Sequence, residues 1–222
     1  MPFSHLSAST APKPLAIFSD FDGTISHPDT LNFLADAFAG VEFRQRVGRQ
    51  IVAGEVSLRD AIQQEVNVIR GSLDEVLAFL QKHVEIDDGF PPFARWCFKR
   101  EIPLTVLSGG MRQVIERLLA PYKLERLRIL ANHVRIDHNR WTLDFLDDTP
   151  WGHDKGAALR VAKQEGYLTV FLGDGLSDRG AAQEADVVFA RSGLARFCQE
   201  QGIPHHELSG FTQVQRLITK SR

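Results

Sequence analysis

The sequence predicts an α/β fold, in which a doubly wound parallel sheet carries an inserted all-helical cap domain. Short apolar segments rich in Val, Phe and Leu, typical of strands covered on both faces, alternate with amphipathic helical segments. This alternation is typical of parallel sheets. It is interrupted once, by a long stretch that has helical periodicity and no strand pattern. A helical insertion after the first strand accounts for the interruption.

The first strand is predicted at residues 15–19, LAIFS, after a small, polar and Pro-rich lead-in at residues 1–14. The composition of the lead-in indicates disorder rather than a signal peptide. The segments LNFLADAF, AIQQEVNVI and LDEVLAFLQKHV then follow with helical periodicity. We therefore divide the rest of the chain into a core, residues 15–27 and 86–222, and a helical cap domain, residues 28–85.

The remainder of the core continues the alternation. Three further strands are predicted from LTVLS, LTVFLG and VVFA, at residues 104–108, 168–173 and 187–190. Helices are predicted at residues 89–100, 111–120, 154–165, 177–184, 192–201 and 211–219. The segments ILANHVRID and HNRWTLDFL flank a polar turn, which predicts a hairpin at the edge of the sheet.

Composition and charge narrow the class of partner. The formal net charge is -2 and the cationic residues form no run, so the chain lacks the electrostatic signature of a nucleic-acid binder. The apolar runs are far shorter than the roughly 18 residues of a membrane span. We expect a cytoplasmic protein with a small-molecule partner. Cys97 and Cys198 lie too far apart to predict a disulfide framework or a metal site, and we expect two reduced, packed thiols.

Polar residues stand where the predicted strands end. Asp20, Ser108 and Asp174 each close or follow a strand. Ligands of open α/β sheets bind outside the carboxyl ends of the strands, so we expect these three side chains to converge. The glycine pair after Ser108 is predicted to open a helix, whose free N–H groups favour an anion. Lys155, at the start of another predicted helix, adds a cation to the same site.

The carboxylates predict a divalent ion and a phosphate. Asp22, two residues after Asp20, and Asp178, four residues after Asp174, add two acids to the cluster. Gathered carboxylates repel one another unless a cation lies among them, and hard oxygen ligands favour magnesium. Phosphoryl transfer needs such charge neutralisation and an in-line nucleophile. We interpret Asp20 as a nucleophile that forms an aspartyl phosphate, and Asp22 as the general acid and base.

Each residue also has a plainer interpretation. Asp22 precedes a glycine and could be a turn residue, and Ser108 could cap the helix that follows it. Lys155 could be a solvated surface residue. Arg112, one turn after Ser108, is either a substrate contact or an ordinary surface charge. His153 is close to Lys155, but a lone loop histidine is more often a surface or hydrogen-bonding residue than an acid or base.

Four segments resemble the motifs of haloacid dehalogenase superfamily phosphatases, in the family's order: DFDGT, VLSGG, the region of Lys155 and GDGLSD. The resemblance implies a Rossmann-like core. It also implies a magnesium ion held by the carboxylates of Asp20 and Asp174 and the backbone carbonyl of Asp22, with Asp178 in support. Dehalogenase members lack the second aspartate, so Asp22 favours ester cleavage. The expected phosphate-binding residues are Thr24, Ser108, Gly109 and Lys155.

The helical insertion resembles the cap of the phosphoserine phosphatase branch, which implies a small metabolite as substrate. In that branch an acidic residue and a cap arginine bind the substrate, and the spacing gives these places to Asp29 and Glu65. A glutamate would repel the carboxylate of phosphoserine. FARWCFKREIPLTVLSGGM and GDGLSDRGAAQEADVVFAR are more similar to the methionine-salvage type, which acts on 2-hydroxy-3-keto-5-methylthiopentenyl-1-phosphate.

We predict a magnesium-dependent phosphomonoesterase, and the sequence favours this methionine-salvage ester as its substrate. Phosphoserine or another small metabolite is the alternative within the branch. A receiver-type signalling module and a non-catalytic phosphate-binding protein are alternatives of another class, and the oligomeric state stays open.

Overall fold

The structure is a computed structural model that describes residues 13–220. Its strands are β1 (Leu15–Ser19), β2 (Ser26–His27), β3 (Glu85–Ile86), β4 (Leu104–Met111), β5 (Arg128–Asp137), β6 (Arg140–Asp144), β7 (Leu168–Gly173), β8 (Val187–Ala190) and β9 (His206–Glu207). Its α-helices are α1 (Thr30–Ala39), α2 (Val41–Val52), α3 (Leu58–Asn67), α4 (Leu73–Leu80), α5 (Phe90–Lys99), α6 (Arg112–Leu119), α7 (Lys155–Gln164), α8 (Arg179–Glu184), α9 (Ser192–Glu200) and α10 (Phe211–Lys220). Short 3-10 helices occupy Ala120–Tyr122 and Leu176–Asp178.

The predicted α/β fold is confirmed. Seven strands form one sheet in the order β6-β5-β4-β1-β7-β8-β9, parallel except for β6. Strand β1 is central, and Ile17 pairs with Leu104 on one side and with Val170 on the other. Two buried apolar clusters pack against the sheet. The chain therefore leaves β1 at the point where the strand order reverses, which is where open α/β sheets bind ligands.

The predicted strands at residues 15–19, 168–173 and 187–190 have those bounds in the structure. The strand predicted at 104–108 is longer, because β4 continues through the glycine pair to Met111 with a register shift against β5. The expectation that these glycines open a helix is therefore wrong, since α6 begins at Arg112. The predicted edge hairpin is present as β5 and β6.

Helices α1 to α4 form an insertion between the short strands β2 and β3, and we call residues 30–80 the helical insertion. Side chains that precede the helices explain where they begin. Asp29 accepts a hydrogen bond from the backbone of Asn32 at the start of α1. Ser57 caps α3 in the same way, and Ser72 forms a capping box at the start of α4. These caps account for helix starts that apolar periodicity alone leaves undefined.

The helical insertion is fastened to the edge hairpin. Trp141 of β6 is fully buried, and its Nε1 donates a hydrogen bond to the carbonyl of Gly71 at 2.8 Å. The backbone N–H of Leu143 donates to Oε1 of Gln63 at 3.1 Å. The backbone N–H of Arg59 donates to the carbonyl of Pro150 at 2.9 Å. The hairpin and the loop after it thus hold α3 against the sheet layer.

Other predictions concern the thiols and the ends of the chain. Cys97 in α5 and Cys198 in α9 are buried free thiols, as expected, and burial raises the pKa of Cys97 to about 12. The lead-in predicted at residues 1–14 lies almost wholly outside the described residues. Within residues 13–220 no helix is both long and apolar enough to cross a membrane.

Candidate active site

A cavity of about 330 Å³ lies at the carboxyl ends of β1, β4 and β7, beneath the helical insertion. The sheet side of its wall includes Asp20, Asp22, Ser108, Gly109, Gly110 and Asp174. The insertion side includes Asp29, Asn32, Arg44, Ile62 and Glu65. The expected convergence of strand-end residues is therefore present in the structure, and the insertion supplies the opposite wall.

The two aspartates of the doublet have different partners. Asp20 is 4% exposed, and its Oδ1 accepts a hydrogen bond from Nζ of Lys155 at 2.5 Å. Asp22 Oδ1 accepts from the backbone N–H of Thr30 at 2.9 Å and from its hydroxyl at 2.5 Å. Asp22 Oδ2 accepts from the hydroxyl of Ser108 at 3.3 Å. One carboxyl therefore lies against an ammonium group, and the other against neutral donors.

Asp178 links the lysine to the loop after β7. Lys155 Nζ donates to Asp178 Oδ1 at 2.7 Å, and both side chains are buried. Asp178 Oδ2 accepts from the backbone N–H groups of Asp174 and Gly175, at 2.9 and 3.0 Å. Asp178 thereby fixes the position of Lys155 and of the segment that carries Asp174.

Two glycines allow the segments to approach this closely. Gly23 has a φ of 76°, and a Cβ atom there would lie 2.5 Å from Oδ2 of Asp174. A Cβ atom at Gly110 would lie 2.8 Å from Oδ2 of Asp22. Any larger side chain at either position would push the segments apart, so both glycines are needed for the packing of the site.

The site carries a surplus of negative charge. Burial, and then Asp178, raise the pKa of Asp20 well above its ordinary value, although Lys155 acts in the opposite direction. Burial and Asp178 also raise the pKa of Asp174 to about 6. Burial lowers the pKa of Lys155, but Asp178 and Asp20 outweigh this effect and raise it overall. The ammonium group is therefore held in its charged form, yet it does not neutralise the acids around it.

This surplus and the donor atoms fit a divalent cation. Carboxylate oxygens of Asp20, Asp174 and Asp178 lie within 4.8 Å of one another. Both oxygens of Asp178 already accept hydrogen bonds, so Asp20 and Asp174 offer the better ligand atoms. Hard oxygen donors of this kind suit magnesium. A magnesium ion would also relieve the repulsion between neighbouring carboxylates that, after burial, raises the pKa of both carboxyls.

The insertion side of the cavity has two acids and a guanidinium group. Each carboxylate oxygen of Asp29 accepts one hydrogen bond of 2.8 Å from Asn32. Burial, and then Asp22, raise the pKa of Asp29 to about 8. Burial raises the pKa of Glu65 to about 7, against the effect of Arg44. Arg44 itself is bound to Asp36, with 2.7 Å between Nε and Oδ1.

Comparison with known proteins identifies the family. The sequence model of the family described as haloacid dehalogenase-like hydrolase matches residues 17–183. The chain belongs to this family. The family resemblance is thereby confirmed, and the phosphatases among the relatives and structural neighbours described next confirm the prediction of an enzyme of that type.

Several named proteins are similar to this hydrolase in sequence or in structure. It is 33% identical over 220 residues to Pdp3-interacting factor 1 of Schizosaccharomyces pombe, with 94% of this chain and 96% of the relative covered. It is 31% identical to polyol phosphate phosphatase PYP1 of Saccharomyces cerevisiae, with coverages of 89% and 90%. It is 30% identical to 2-hydroxy-3-keto-5-methylthiopentenyl-1-phosphate phosphatase of Geobacillus kaustophilus, with coverages of 91% and 94%. A substrate-bound phosphoserine phosphatase has the same fold, with a TM-score of 0.70, 18% identity and coverages of 93% and 99%.

The structure of the hydrolase also shows where Thr24 and Arg112 lie. Thr24 is buried beside Asp174, and its hydroxyl donates to Asp174 Oδ1 at 3.5 Å. Arg112 is not among the residues that line the cavity, and its guanidinium pairs with Glu116 at 2.7 Å on the surface of α6. Its proposed contact with substrate is therefore not supported, because an (i, i+4) partner holds it on the exposed face.

Two of the plainer interpretations are also decided by the structure of the hydrolase. Ser108 does not cap α6, because its hydroxyl accepts from the backbone N–H of Gly110 at 2.9 Å inside β4. His153 is buried and hydrogen-bonded, with 3.2 Å between its Nδ1 and Oδ2 of Asp147. Its Nε2 has no partner among residues 13–220.

Sequence reasoning missed residues that hold the hydrolase site together. Thr30 binds Asp22, and Arg191 donates to the carbonyl of Thr24 at 2.6 Å. Buried Asn132 donates to the carbonyls of Gly109 and Gly152 at 2.7 and 2.9 Å, and so joins the end of β4 to the loop after β6. An asparagine at an inward position of the strand ILANHV was a signal that could have been used.

Proposed function

We propose that this hydrolase is a magnesium-dependent phosphomonoesterase that cleaves a small phosphorylated metabolite through an aspartyl phosphate on Asp20. The observation that carries the proposal is the buried contact of Asp20 with Lys155, at the mouth of the central strand and beside Ser108 and Asp174. A carboxylate next to a fixed ammonium group can attack a phosphorus atom whose oxygens that ammonium group binds.

The phosphate is bound by groups that already surround Asp20. Lys155 and the hydroxyl of Ser108 bind its oxygens, and the backbone of Gly109 and the hydroxyl of Thr24 complete the predicted set. The carboxylates of Asp20 and Asp174 and the backbone carbonyl of Asp22 would hold a magnesium ion, which would neutralise negative charge during phosphoryl transfer. Asp178 keeps Lys155 and the Asp174 segment in place.

Two proton transfers by Asp22 complete the reaction. An oxygen of Asp20 forms a bond to phosphorus while the bond from phosphorus to the ester oxygen breaks, and protonated Asp22 gives its proton to the leaving alcohol. Asp22 then takes a proton from water as the water oxygen attacks the phosphorus of the aspartyl phosphate. Inorganic phosphate leaves, and Asp20 is regenerated. The contacts of Asp22 with Thr30 and Ser108 support this role, since they orient its carboxyl independently of Lys155.

The helical cap domain, which we place at residues 28–85, closes the cavity over the substrate. Its proposed ends agree with the β2–β3 pair, in which His27 lies opposite Glu85. The relatives suggest two substrates. The methionine-salvage enol phosphate is supported by the relative from Geobacillus kaustophilus, and a polyol phosphate is supported by the relative from Saccharomyces cerevisiae. Both are small metabolites, which fits the cytoplasmic location that we propose.

Phosphate release from p-nitrophenyl phosphate tests the proposal. The wild-type protein with magnesium is expected to turn over, and a chelator is expected to abolish turnover until magnesium is restored. Asp20→Asn is expected to lower kcat on the order of 10³-fold or more, because an amide is not a nucleophile. Asp88→Asn, at an exposed position outside the cavity, is the control and keeps full activity. A folded wild-type protein without turnover would instead support a phosphate-binding or receiver-type module.

A further inference from the structure

The loop that leads into Lys155 is organised by one carboxylate. Residues 145–154 connect β6 to α7, and Lys155 is the first residue of that helix. We propose that Asp147 is a positioning residue for Lys155, because it fixes the backbone from which the lysine reaches Asp20 and the phosphate. The inference rests on the proposed phosphomonoesterase function, in which Lys155 binds the phosphate. Asp147 itself does not line the cavity and is not a catalytic residue.

Both oxygens of the Asp147 carboxyl accept hydrogen bonds from within the loop. Oδ1 accepts from the backbone N–H of Thr149 at 3.0 Å and from the hydroxyl of the same residue. Oδ2 accepts from the backbone N–H of Asp154 at 2.8 Å and lies 3.2 Å from Nδ1 of His153. The contacts of Oδ1 form a local turn of the kind that aspartates commonly make. The contacts of Oδ2 are different, because they reach the two residues directly before Lys155.

The charge states of Asp147 and His153 suit this role. Burial would raise the pKa of Asp147, but the hydrogen bonds from Thr149, Asp154 and His153 outweigh burial and lower the pKa to about 2. Burial lowers the pKa of His153, and Asp147 offsets this only in part. A neutral imidazole whose Nδ1 faces a carboxylate carries its proton on Nδ1. His153 is therefore a neutral donor to Asp147, and it places no second positive charge next to Lys155.

Lys155 is held at both ends. Its Nζ donates to two buried carboxyls of the site, at 2.5 and 2.7 Å. Its backbone N–H donates to the carbonyl of His153 at 3.0 Å. Asp154, whose N–H is bound by Asp147, caps α7 by accepting from the backbone N–H of Ala157 at 3.0 Å. Misplacement of a binding group by about 1 Å can cost on the order of 10²-fold in rate, so fixing the start of α7 matters for the phosphate.

Asp147→Asn tests the inference with little change of shape. An amide has one acceptor oxygen, so whichever way it turns, one pair of donors faces an NH2 group. We would measure the dissociation constant of inorganic phosphate by titration calorimetry with magnesium, and kcat/KM for p-nitrophenyl phosphate. The variant is expected to bind phosphate more weakly, and to have a lower kcat/KM, by about tenfold or more. Wild-type phosphate binding by folded Asp147→Asn would overturn the inference.

Two control variants separate positioning from a loss of stability or charge. Asp148→Asn changes the neighbouring carboxyl, which is fully exposed, and is expected to keep wild-type phosphate binding. Ile218→Ala removes a buried side chain in α10, so it is expected to lower the thermal midpoint and to leave phosphate binding unchanged. A weakening in either control equal to that in Asp147→Asn would overturn the inference.

Asp147→Ser separates the local turn from the contacts that reach α7. A serine hydroxyl can accept from the N–H of Thr149, but its single oxygen cannot also bind residues 153 and 154. Phosphate binding is therefore expected to weaken as much as in Asp147→Asn. If Asp147→Asn does not fold, Asp147→Ser decides the question, and wild-type phosphate binding in it contradicts the inference.

A double variant shows whether Asp147 acts through Lys155. Lys155→Met removes the ammonium group and leaves the other phosphate-binding groups in place. Adding Asp147→Asn to Lys155→Met is expected to cause no further weakening of phosphate binding, since the group that Asp147 positions is already absent. A further weakening by the same factor as in the wild-type background would overturn the inference.

Phosphate binding and turnover separate the inference from the function on which it rests. Turnover of p-nitrophenyl phosphate by the wild-type protein establishes the phosphomonoesterase independently of Asp147. Turnover combined with wild-type phosphate binding in Asp147→Asn refutes the inference alone. Phosphate binding that depends on Asp147, in a wild-type protein without turnover, refutes the proposed function alone. Absence of both turnover and phosphate binding in the wild-type protein refutes both.

Discussion

Replacement of Glu65 by glutamine is expected to change how the stability of the protein depends on pH. Burial raises the pKa of Glu65 from an ordinary value of 4.5 to about 7, although Arg44 acts in the opposite direction. The folded chain therefore keeps a proton on Glu65 at pH values where the unfolded chain has released it. This contribution to stability is fully present below pH 4.5 and is lost as the pH rises through about 7.

The size of the effect follows from the two pKa values. A rise from 4.5 to about 7 corresponds to roughly 3 kcal/mol of unfolding free energy, at 1.36 kcal/mol for each pH unit. Glutamine resembles the protonated glutamate and does not titrate. The unfolding free energy of Glu65→Gln should therefore be close to that of the wild-type protein at pH 4.5. The advantage of the variant should grow to roughly 3 kcal/mol by about pH 8.

Urea denaturation followed by circular dichroism, at closely spaced pH values from 4.5 to 8, measures this difference. Glu125→Gln, at an exposed position in the turn before β5, is the matched control and should show no growing advantage. A difference between Glu65→Gln and the wild-type protein that stays constant over the whole range would refute the reasoning. It would mean that burial of Glu65 in the cavity wall does not hold its proton.

Three further predictions concern the cluster around Asp20. Lys155→Met should abolish phosphatase turnover and lower the unfolding free energy by roughly 3–5 kcal/mol in urea titrations without magnesium, because buried Asp20 and Asp178 lose their cation. Magnesium should raise the thermal midpoint of the wild-type protein but not that of Asp174→Asn, measured by scanning calorimetry; an equal rise in both would exclude Asp174 as a ligand. Gly23→Ala should lower kcat, and it should lower the unfolding free energy by about 1–3 kcal/mol. The reason is that its Cβ would lie 2.5 Å from Asp174 Oδ2 at a residue with a positive φ. Wild-type values of both quantities in this variant would contradict the close packing.

The parts of the site that the sequence predicts are those carried by strand ends. Asp20 and Asp174 directly follow β1 and β7, and Ser108 lies in β4 where the sheet meets the cavity. A parallel sheet brings the carboxyl ends of its strands to one edge whatever the connecting segments do, so local patterns suffice for these residues. The helix caps of the insertion are equally local, as Ser72 and its capping box illustrate.

The remaining residues depend on how separate elements pack together. Arg44 reaches the cavity because of the way α2 packs against α1 and α3, and no pattern within α2 specifies this. The sequence left Arg112 open between a substrate contact and a surface charge for the same reason, since the orientation of α6 decides which of its side chains face the cavity. Arg191 contacts a carbonyl 167 positions away in the chain. The extension of β4 through its glycines depends on pairing with β5, which local propensity does not report.

The β2–β3 pair separates the helical insertion from the main sheet along the chain. Ser26 lies opposite Ile86, so the chain leaves the segment after β1 and returns to the core at adjacent points. Whatever lies between these points can change in length or sequence without displacing a strand of the main sheet. An insertion taken from a related protein would need only to begin after β2 and end before β3 in order to fit this core. Selection among alcohols can therefore diverge between descendants while the machinery that breaks the ester bond is inherited intact.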